Sequence, residues 1–551
     1  MNSGKNIWRL SGMLLVACVL LVATTDVVAQ TSSVYDSKRP NIVVIMADDL
    51  GYSDLGCYGS EIQTPHLDRL AAEGMRFTQF YTCGRCCPTR ASMLTGLYPH
   101  LTGVGAMMQD HRRDGYKGNL NTNCATIAEL LKSTGYQTLM SGKWHVSRFI
   151  APAGPKHNWP QQRGFDHFYG IIHGAASYFD PATLTLENQF VKATDHDYYL
   201  TEAIGERAAK MIEQASRSDK PFFLYCAFTG PHWPLHAPST IISRYVNKYA
   251  MGWDSIRTQR YRRQLANGLI KPGTQLSPRD SRVKSWETEP YQRWQARRMA
   301  VYAAQVDLVD QGVGRVLEGL RQAGVDRNTL VFFMSDNGAS SEEVSPTWEG
   351  VHIPERSRAG RALLVGNSPK IMPGSPETYQ SYGLGWAGVS NTPFRYYKQT
   401  VHEGGISTPF IAHWPNAIRR GQITHEVGHV IDIMPTCLDV AKARYPAVYG
   451  GYRLYPPSGR SLLPVLLGGK RAPITYYWEH EGNCAIRRDN LKMVCKYPGG
   501  WELYDIVGDR SETNNLIVKR QYHIIANDML TDFRNWCSAH KVETWKGSAT
   551  P

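Results

Sequence analysis

The chain has no internal repeat, no low-complexity tract and no nucleic-acid-binding module. Those absences exclude solenoid, collagen-like and disordered classes and leave nucleic acid without a recognition element. Long apolar runs are missing too: the longest, Met13 to Ala23, is too short to span a bilayer comfortably. His111-Arg112-Arg113-Asp114 has no glycine-rich phosphate loop beside it, which removes a kinase reading. Acidic side chains are the scarcer sign, 48 Asp/Glu against 61 Lys/Arg, for a formal net charge of +13. Much of that surplus is local, since residues 237–298 hold 13 Lys/Arg against 4 Asp/Glu. Such a block reads either as a solvated basic face or as a surface for a polyanion.

What is present is ordinary globular composition: 551 residues, 42% hydrophobic and 20% charged, enough for a large domain and a smaller one. The N-terminus reads as an export signal over residues 1–29. Lys5 and Arg9 precede the apolar stretch, and Val27-Val28-Ala29 supplies small residues before a cut at Gln30. A second reading takes Leu15 to Cys18 as a lipoprotein signal acylated at Cys18, but the apolar run continues past that cysteine. Either reading exports the chain, to the periplasm or outside the cell, with no stable membrane span after cleavage. Export permits disulfides. Of the 11 cysteines, Cys484 and Cys495 flank a turn at Asp489-Asn490 and form the one pair that the pattern proposes.

From about residue 39, short apolar runs alternate with amphipathic stretches, the pattern of an α/β sandwich around a mostly parallel sheet. Four runs read as buried strands: Asn41 to Ala47, Tyr136 to Ser141, Pro221 to Phe228 and Leu330 to Ser335. Asp48-Asp49, Gly142-Lys143, Gly230-Pro231-His232 and Asp336-Asn337 follow them. Ligands of open α/β sheets bind beyond the carboxyl ends of the strands, so four distant segments converge on one predicted site. Helices are predicted after Thr64-Pro65 up to Gly74, over 126–134, and over 299–323. After about residue 450, antiparallel strands near 474–497 and a helix over 520–536 suggest a small α+β unit. The expected division is 36–450 and 451–551.

Three carboxylates and an amide oxygen at Asp48, Asp49, Asp336 and Asn337 are hard donors, suited to calcium or magnesium rather than zinc. The reaction is suggested by Cys86, Pro88 and Arg90 followed by Thr95-Gly96. This segment resembles the C-x-P-x-R signature of the type I, formylglycine-dependent sulfatases. Only Cys86, not Cys83 or Cys87, has proline two and arginine four residues on. The resemblance extends over Pro40 to Gly51, Gly142-Lys143-Trp144-His145, Gly230-Pro231-His232, Ser335 to Gly338, and Lys398 ahead of Glu403-Gly404-Gly405. It implies an alkaline-phosphatase-like fold and a sulfuric ester hydrolase. It also implies maturation of Cys86 to formylglycine by a formylglycine-generating enzyme. One hydroxyl of the aldehyde hydrate attacks sulfur and the other later expels sulfate. By the same resemblance Asp48, Asp49, Asp336, Asn337 and modified Cys86 hold one calcium ion, and Arg90 steadies the diol. Lys143, His232 and Lys398 grip sulfate, His145 takes the diol proton, and His232 protonates the leaving oxygen. One departure is Ser407, where many relatives carry arginine after E-G-G-I. His236 and His402 read as structural or as substrate rim.

The expected substrate is a small-molecule or glycan sulfate ester, with a sulfated carbohydrate favoured by export, by basic charge and by the range of the family that the chain resembles. Two alternatives stay open: a phosphonate or phosphodiester hydrolase of the same fold, and a glycan-binding relative with a decayed site.

Overall fold

Three strands of near-continuous apolar sequence, β1 (Asn41–Ala47), β7 (Phe222–Ala227) and β8 (Thr329–Ser335), are buried on both faces, the signature of a parallel sheet covered by helices. The computed structural model, which describes residues 38–543 and Met1, places them at the centre of a ten-stranded sheet. Residues 2–29 of the expected export signal, Cys18 included, lie outside the described residues. The remaining strands of this sheet are β2 (Met75–Tyr81), β3 (Gln137–Lys143), β4 (His167–Ile171), β5 (Leu184–Leu186), β6 (Gln189–Phe190), β11 (Ser407–His413) and β12 (Gln422–His429). Two small ribbons, β9 (Leu364–Val365) with β10 (Thr378–Tyr379) and β13 (Val448–Tyr449) with β14 (Tyr452–Arg453), stand apart from it.

The spatial order is β12-β2-β11-β8-β1-β7-β3-β4-β5-β6. The four strands predicted to feed the site are contiguous neighbours, β8-β1-β7-β3, and all are parallel. β11 runs antiparallel between β2 and β8, and β5 and β6 turn back at the far edge, so the sheet is mixed.

The helices used below are α1 (Pro65–Glu73), α2 (Cys86–Thr95), α3 (Ile127–Ser133), α4 (Leu200–Ala215), α5 (Gly252–Ala266), α6 (Gln292–Gln322), α7 (Gly383–Ser390) and α8 (His523–Ala539). Thr126 caps α3 in a reciprocal capping box with Glu129. α6 starts two turns before the predicted Met299, because Trp294 and Arg298 are also buried. Val43, Ile45, Leu224, Cys226 and Phe333 share one core with α1, α4 and α6. Tyr225, pointing to the other face, meets Arg90 of α2, so helices flank the sheet on both sides.

β15 (Tyr476–His480), β16 (Asn483–Arg488), β17 (Leu491–Cys495) and β18 (Trp501–Asp505) form a four-stranded antiparallel sheet near the C-terminus. α8 packs on it through Met529, Phe533 and Trp536, and the same core takes in Tyr81, Ile406 and Ile431. Cys484 and Cys495 stand opposite each other across β16 and β17 as the turn predicted, yet both are free. The expected disulfide is therefore corrected: the Cys484 thiol donates to Gly482 O at 3.4 Å and the Cys495 thiol to Gly499 O at 3.0 Å.

The basic block over 237–298 is also revised. Arg260 is fully buried between Asp54 (2.6 Å) and Glu61 (2.7 Å), Arg263 joins Glu61 at 3.3 Å, and buried Arg298 holds Glu343 at 2.7 Å. Part of the charge thus stitches α5 and α6 into the fold rather than facing solvent.

Candidate active site

Beyond the carboxyl ends of β1, β8 and β3, the predicted site residues meet in a buried cluster. Asp48 and Asp49 follow β1; Asp49 sits in the left-handed region at φ 62°, a conformation that costs energy and marks functional turns. Its backbone N–H donates to Asp336 Oδ1 at 3.2 Å, and Asn337 Nδ2 donates to Asp49 Oδ1 at 2.7 Å. Lys143, ending β3, gives its ammonium to Asp48 Oδ2 at 2.6 Å. Lys398 arrives on a loop and reaches Asp49 Oδ2 at 2.9 Å.

Cys86 is the first residue of α2, and Arg90 lies one turn later on the same helix. Arg90 is completely buried, with Nε (3.0 Å) and Nη2 (2.7 Å) both on Asp336 Oδ2. Its Nη1 donates to Lys143 O at 3.2 Å and Tyr225 OH at 3.3 Å, so one guanidinium ties α2 to β3, β7 and β8. Burial works against the Asp336 carboxylate, but Arg90 and Lys143 prevail and hold its pKa below the usual range. For Asp48 the balance reverses: burial, with Asp336 and Asp49 adding to it, raises the pKa despite Lys143 and Arg90.

His145, also at positive φ (55°), faces the start of α2. Its Nε2 is 3.2 Å from Cys87 Sγ, and the ligand atoms of Cys86, Cys87 and His145 all lie within 4.8 Å of one another. The sequence reading paired His145 with residue 86; the structure sets it against both sulfurs. Burial pulls His145 down to about 3, so its ring is neutral near pH 7, and its Nδ1 is buried without a partner. The Cys86 thiol is pushed well below its usual range by a hydrogen bond from Cys87, and by Lys143 and His145, against the opposing effect of burial. Gly174 backs His145 so closely that a Cβ there would lie 2.1 Å from the imidazole.

His232 follows β7. Its Nδ1 is 2.7 Å from Trp233 O, Lys398 Nζ is 3.3 Å from its Nε2, and Asp49 Oδ2 lies 3.5 Å away. Burial lowers it to about 4. A neutral ring donating from Nδ1 leaves Nε2 as an acceptor for Lys398.

Sequence reasoning missed Glu342. This carboxylate binds Lys398 at 3.1 Å, Trp233 Nε1 at 2.8 Å and Arg85 at 3.4 Å. Lys398 and Arg85 hold it far below the usual range although burial opposes them. Its only signal was its place five residues past Asn337. His236 and His402 are structural: His236 Nε2 contacts Thr378 O at 2.6 Å, and buried His402 pairs with Glu502 at 3.0 Å. At Ser407, Arg510 supplies the local guanidinium, 2.9 Å from Ser407 Oγ and 3.3 Å from Glu403.

A hard cation fits this donor set. Asp48 Oδ1 and Asn337 Oδ1 are buried acceptors without hydrogen-bond partners, and Asp49 and Asp336 stand beside them. Buried oxygen acceptors lacking donors are costly unless an ion satisfies them.

A family model described as Sulfatase matches residues 40–443, nearly three quarters of the sequence. The chain belongs to the sulfatase family. A second model, N-sulphoglucosamine sulphohydrolase, C-terminal, matches residues 394–538 of this sulfatase. It is 35% identical over 545 residues to an uncharacterized sulfatase of Schizosaccharomyces pombe, covering 92% of this chain and 94% of that one. It is also 35% identical over 439 residues to an arylsulfatase of Klebsiella aerogenes, covering 77% and 91%. Among solved structures, Ps i-CgsB in complex with a neocarrahexaose superposes with a TM-score of 0.65 at 24% identity, covering 92% and 94%. A structure in complex with its substrate D-glucosamine-2-N,6-O-disulfate gives 0.58 at 23%, covering 92% and 98%. These likenesses show the α/β fold with its small antiparallel C-terminal sheet. The sulfatase hydrolyses sulfate esters, and no described helix is long and apolar enough to cross a membrane.

Proposed function

We propose that this sulfatase releases inorganic sulfate from a sulfated carbohydrate, using formylglycine made from Cys86 and one calcium ion. The observation that carries the reading is the placement of Cys86 at the first turn of α2, among Arg90, Lys143 and His145, directly beside the carboxylate cluster. A hydrated formylglycine there supplies one hydroxyl to attack sulfur and a second to expel sulfate afterwards. Asp48, Asp49, Asp336, Asn337 and residue 86 would hold the calcium ion, which supplies charge neutralisation for the sulfate oxygens and the attacking oxygen.

The chain's own residues carry the remaining steps. Arg90 fixes Asp336 and the start of α2 as one unit. Lys143 and Lys398 turn from the carboxylates they now hold toward sulfate oxygens and stabilise the charge that builds there. His145, neutral and with an unpaired nitrogen, takes the hydroxyl proton. His232 accepts from Lys398 as it stands, so the proton for the leaving oxygen comes through the Lys398–His232 pair. Glu342 holds Lys398 directly and also holds Trp233, the residue after His232. The carbohydrate reading draws on the solved relatives with a bound neocarrahexaose and a bound D-glucosamine-2-N,6-O-disulfate, and on the expected export of the chain.

The test is a panel of a monosulfated saccharide, an aryl sulfate and an aryl phosphodiester, with protein co-produced with a formylglycine-generating enzyme. Sulfate release from the saccharide is expected to exceed diester cleavage. Turnover confined to aryl or alkyl sulfates would overturn the carbohydrate assignment, and preferred diester cleavage would overturn the sulfate one.

A further inference from the structure

A second cavity, of about 390 Å³, opens between α5, the loop 278–283, α7 and residues 394–397, with Lys496 at its edge. Its volume lies within the range of small-ligand sites. Five cations line it, Arg257, Arg279, Arg282, Arg395 and Lys496, against two acids, Asp254 and Asp280. Both acids are already engaged: Asp254 by Arg279 and Asp280 by Arg282, each at 2.7 Å. Arg395 is held by Glu502 at 3.2 Å. Neither Arg257 nor Lys496 has a carboxylate within 4 Å among the described residues.

Arg257 is the more telling of the two. It is 9% exposed, and its hydrogen bonds go to neutral oxygens only: Gly388 O at 3.2 Å, Ser277 O at 2.6 Å and Ser277 Oγ at 2.5 Å. A buried guanidinium with no counter-ion is expensive. Burial has drawn Arg257 down to about 10. Lys496 is lowered as well, by burial and by Arg282, against the more distant pull of Asp280 and Glu502. Its ammonium rests 4.5 Å from the ring centroid of Tyr396, which holds it at the cavity without neutralising it. The cavity and the reaction site share one segment: Tyr397 lines the first, and the next residue, Lys398, enters the second.

We propose that this cavity is an anion-binding exosite for a sulfate- or carboxylate-bearing sugar of a glycan, held by Arg257 and Lys496 outside the reaction site. The sugar identity rests on the carbohydrate reading above; the anion preference rests on the uncompensated charge. Where sequence reasoning saw a basic block over 237–298, the fold consumes much of it internally and concentrates a remainder here.

The experiment titrates a heparin-derived hexasaccharide, which is sulfated, and a hexagalacturonate, which carries only carboxylates, into the full chain and into the variant Lys496→Ala. Lys496 is half-buried, and a thermal melt confirms the fold of the variant. At least one saccharide is expected to bind the unaltered protein and to weaken about tenfold in the variant, the loss typical of charge-assisted contacts. Turnover of 4-nitrophenyl sulfate should not change. Whichever arm responds identifies the anion. Absence of binding in both arms, or a change of under about threefold in both, overturns the exosite. A parallel fall in aryl sulfate turnover also overturns it, because the cavity would then belong to the reaction site. Cavity-dependent binding with no sulfate release from any ester would instead sink the carbohydrate sulfatase reading alone.

Discussion

At the scale of the residue, the fold acts mainly by removing water from ionisable groups. His429 shows this away from the reaction site. It is fully buried, its Nδ1 accepts from Ile431 N at 3.2 Å, and its Nε2 has no partner. Burial and Arg471 lower it to about 3, and His236 is similarly lowered to about 4 by burial. Because the folded values lie below the ordinary 6.5, the unfolded chain binds the extra protons. Stability is therefore complete above about pH 6.5 and falls with acidification through the window from 6.5 toward 3–4, by about 1.4 kcal/mol per pH unit for each ring once well inside it. Denaturant titration at pH 7 and pH 5 should show this loss, with a shallower dependence in His429→Gln. The same scale explains what sequence could reveal. Cys86 and Arg90 were legible because they fall, with Pro88 between them, in one short stretch of chain that resembles the sulfatase signature. Glu342 was not, because its meaning depends on Lys398 and Arg85 arriving from elsewhere.

Elements supply the convergence. The four predicted strands were readable because parallel strands buried on both faces leave uninterrupted apolar runs, each ending in a polar group. Their adjacency, β8-β1-β7-β3, was not readable, since register between distant segments leaves no local trace. Gly142 shows how tight that adjacency is. It sits in β3 at φ 119°, and a Cβ would lie 1.8 Å from Ala227 O of β7. Gly142→Ala should cost about 3 kcal/mol or more and displace Lys143 from Asp48. Denaturant midpoints and sulfate release should fall together. The predicted hairpin at Cys484 and Cys495 formed, but facing positions alone did not close a bond.

Across the whole molecule, a buried charge network joins the C-terminal sheet to the segment that follows Lys398. Lys492 of β17 lies between Glu403 (3.0 Å) and Glu512 (2.8 Å), all three fully buried, and Arg510 and Arg487 reach the same region through Glu403 and Tyr81. Lys492→Met would leave two buried carboxylates short of a counter-ion, a loss of about 3–5 kcal/mol. Loosening should spread from this sheet to the Lys398 loop, so sulfate release is expected to fall below the transition temperature as well as above it; full activity up to an unchanged melting point would argue against the coupling. Strand and helix patterning after about residue 450 indicated a second small region but not that its charges brace the large sheet's site, because Glu403 and Lys492 are 89 residues apart.

The central claim is that Cys86 is the reacting centre. The most direct measurement is the initial rate of sulfate release from 4-nitrophenyl sulfate, comparing the unaltered chain with Cys86→Ala, both co-produced with a formylglycine-generating enzyme. The account predicts turnover in the first, accompanied by an aldehyde mass at residue 86, and none above background in the second. Equal turnover in both would contradict it.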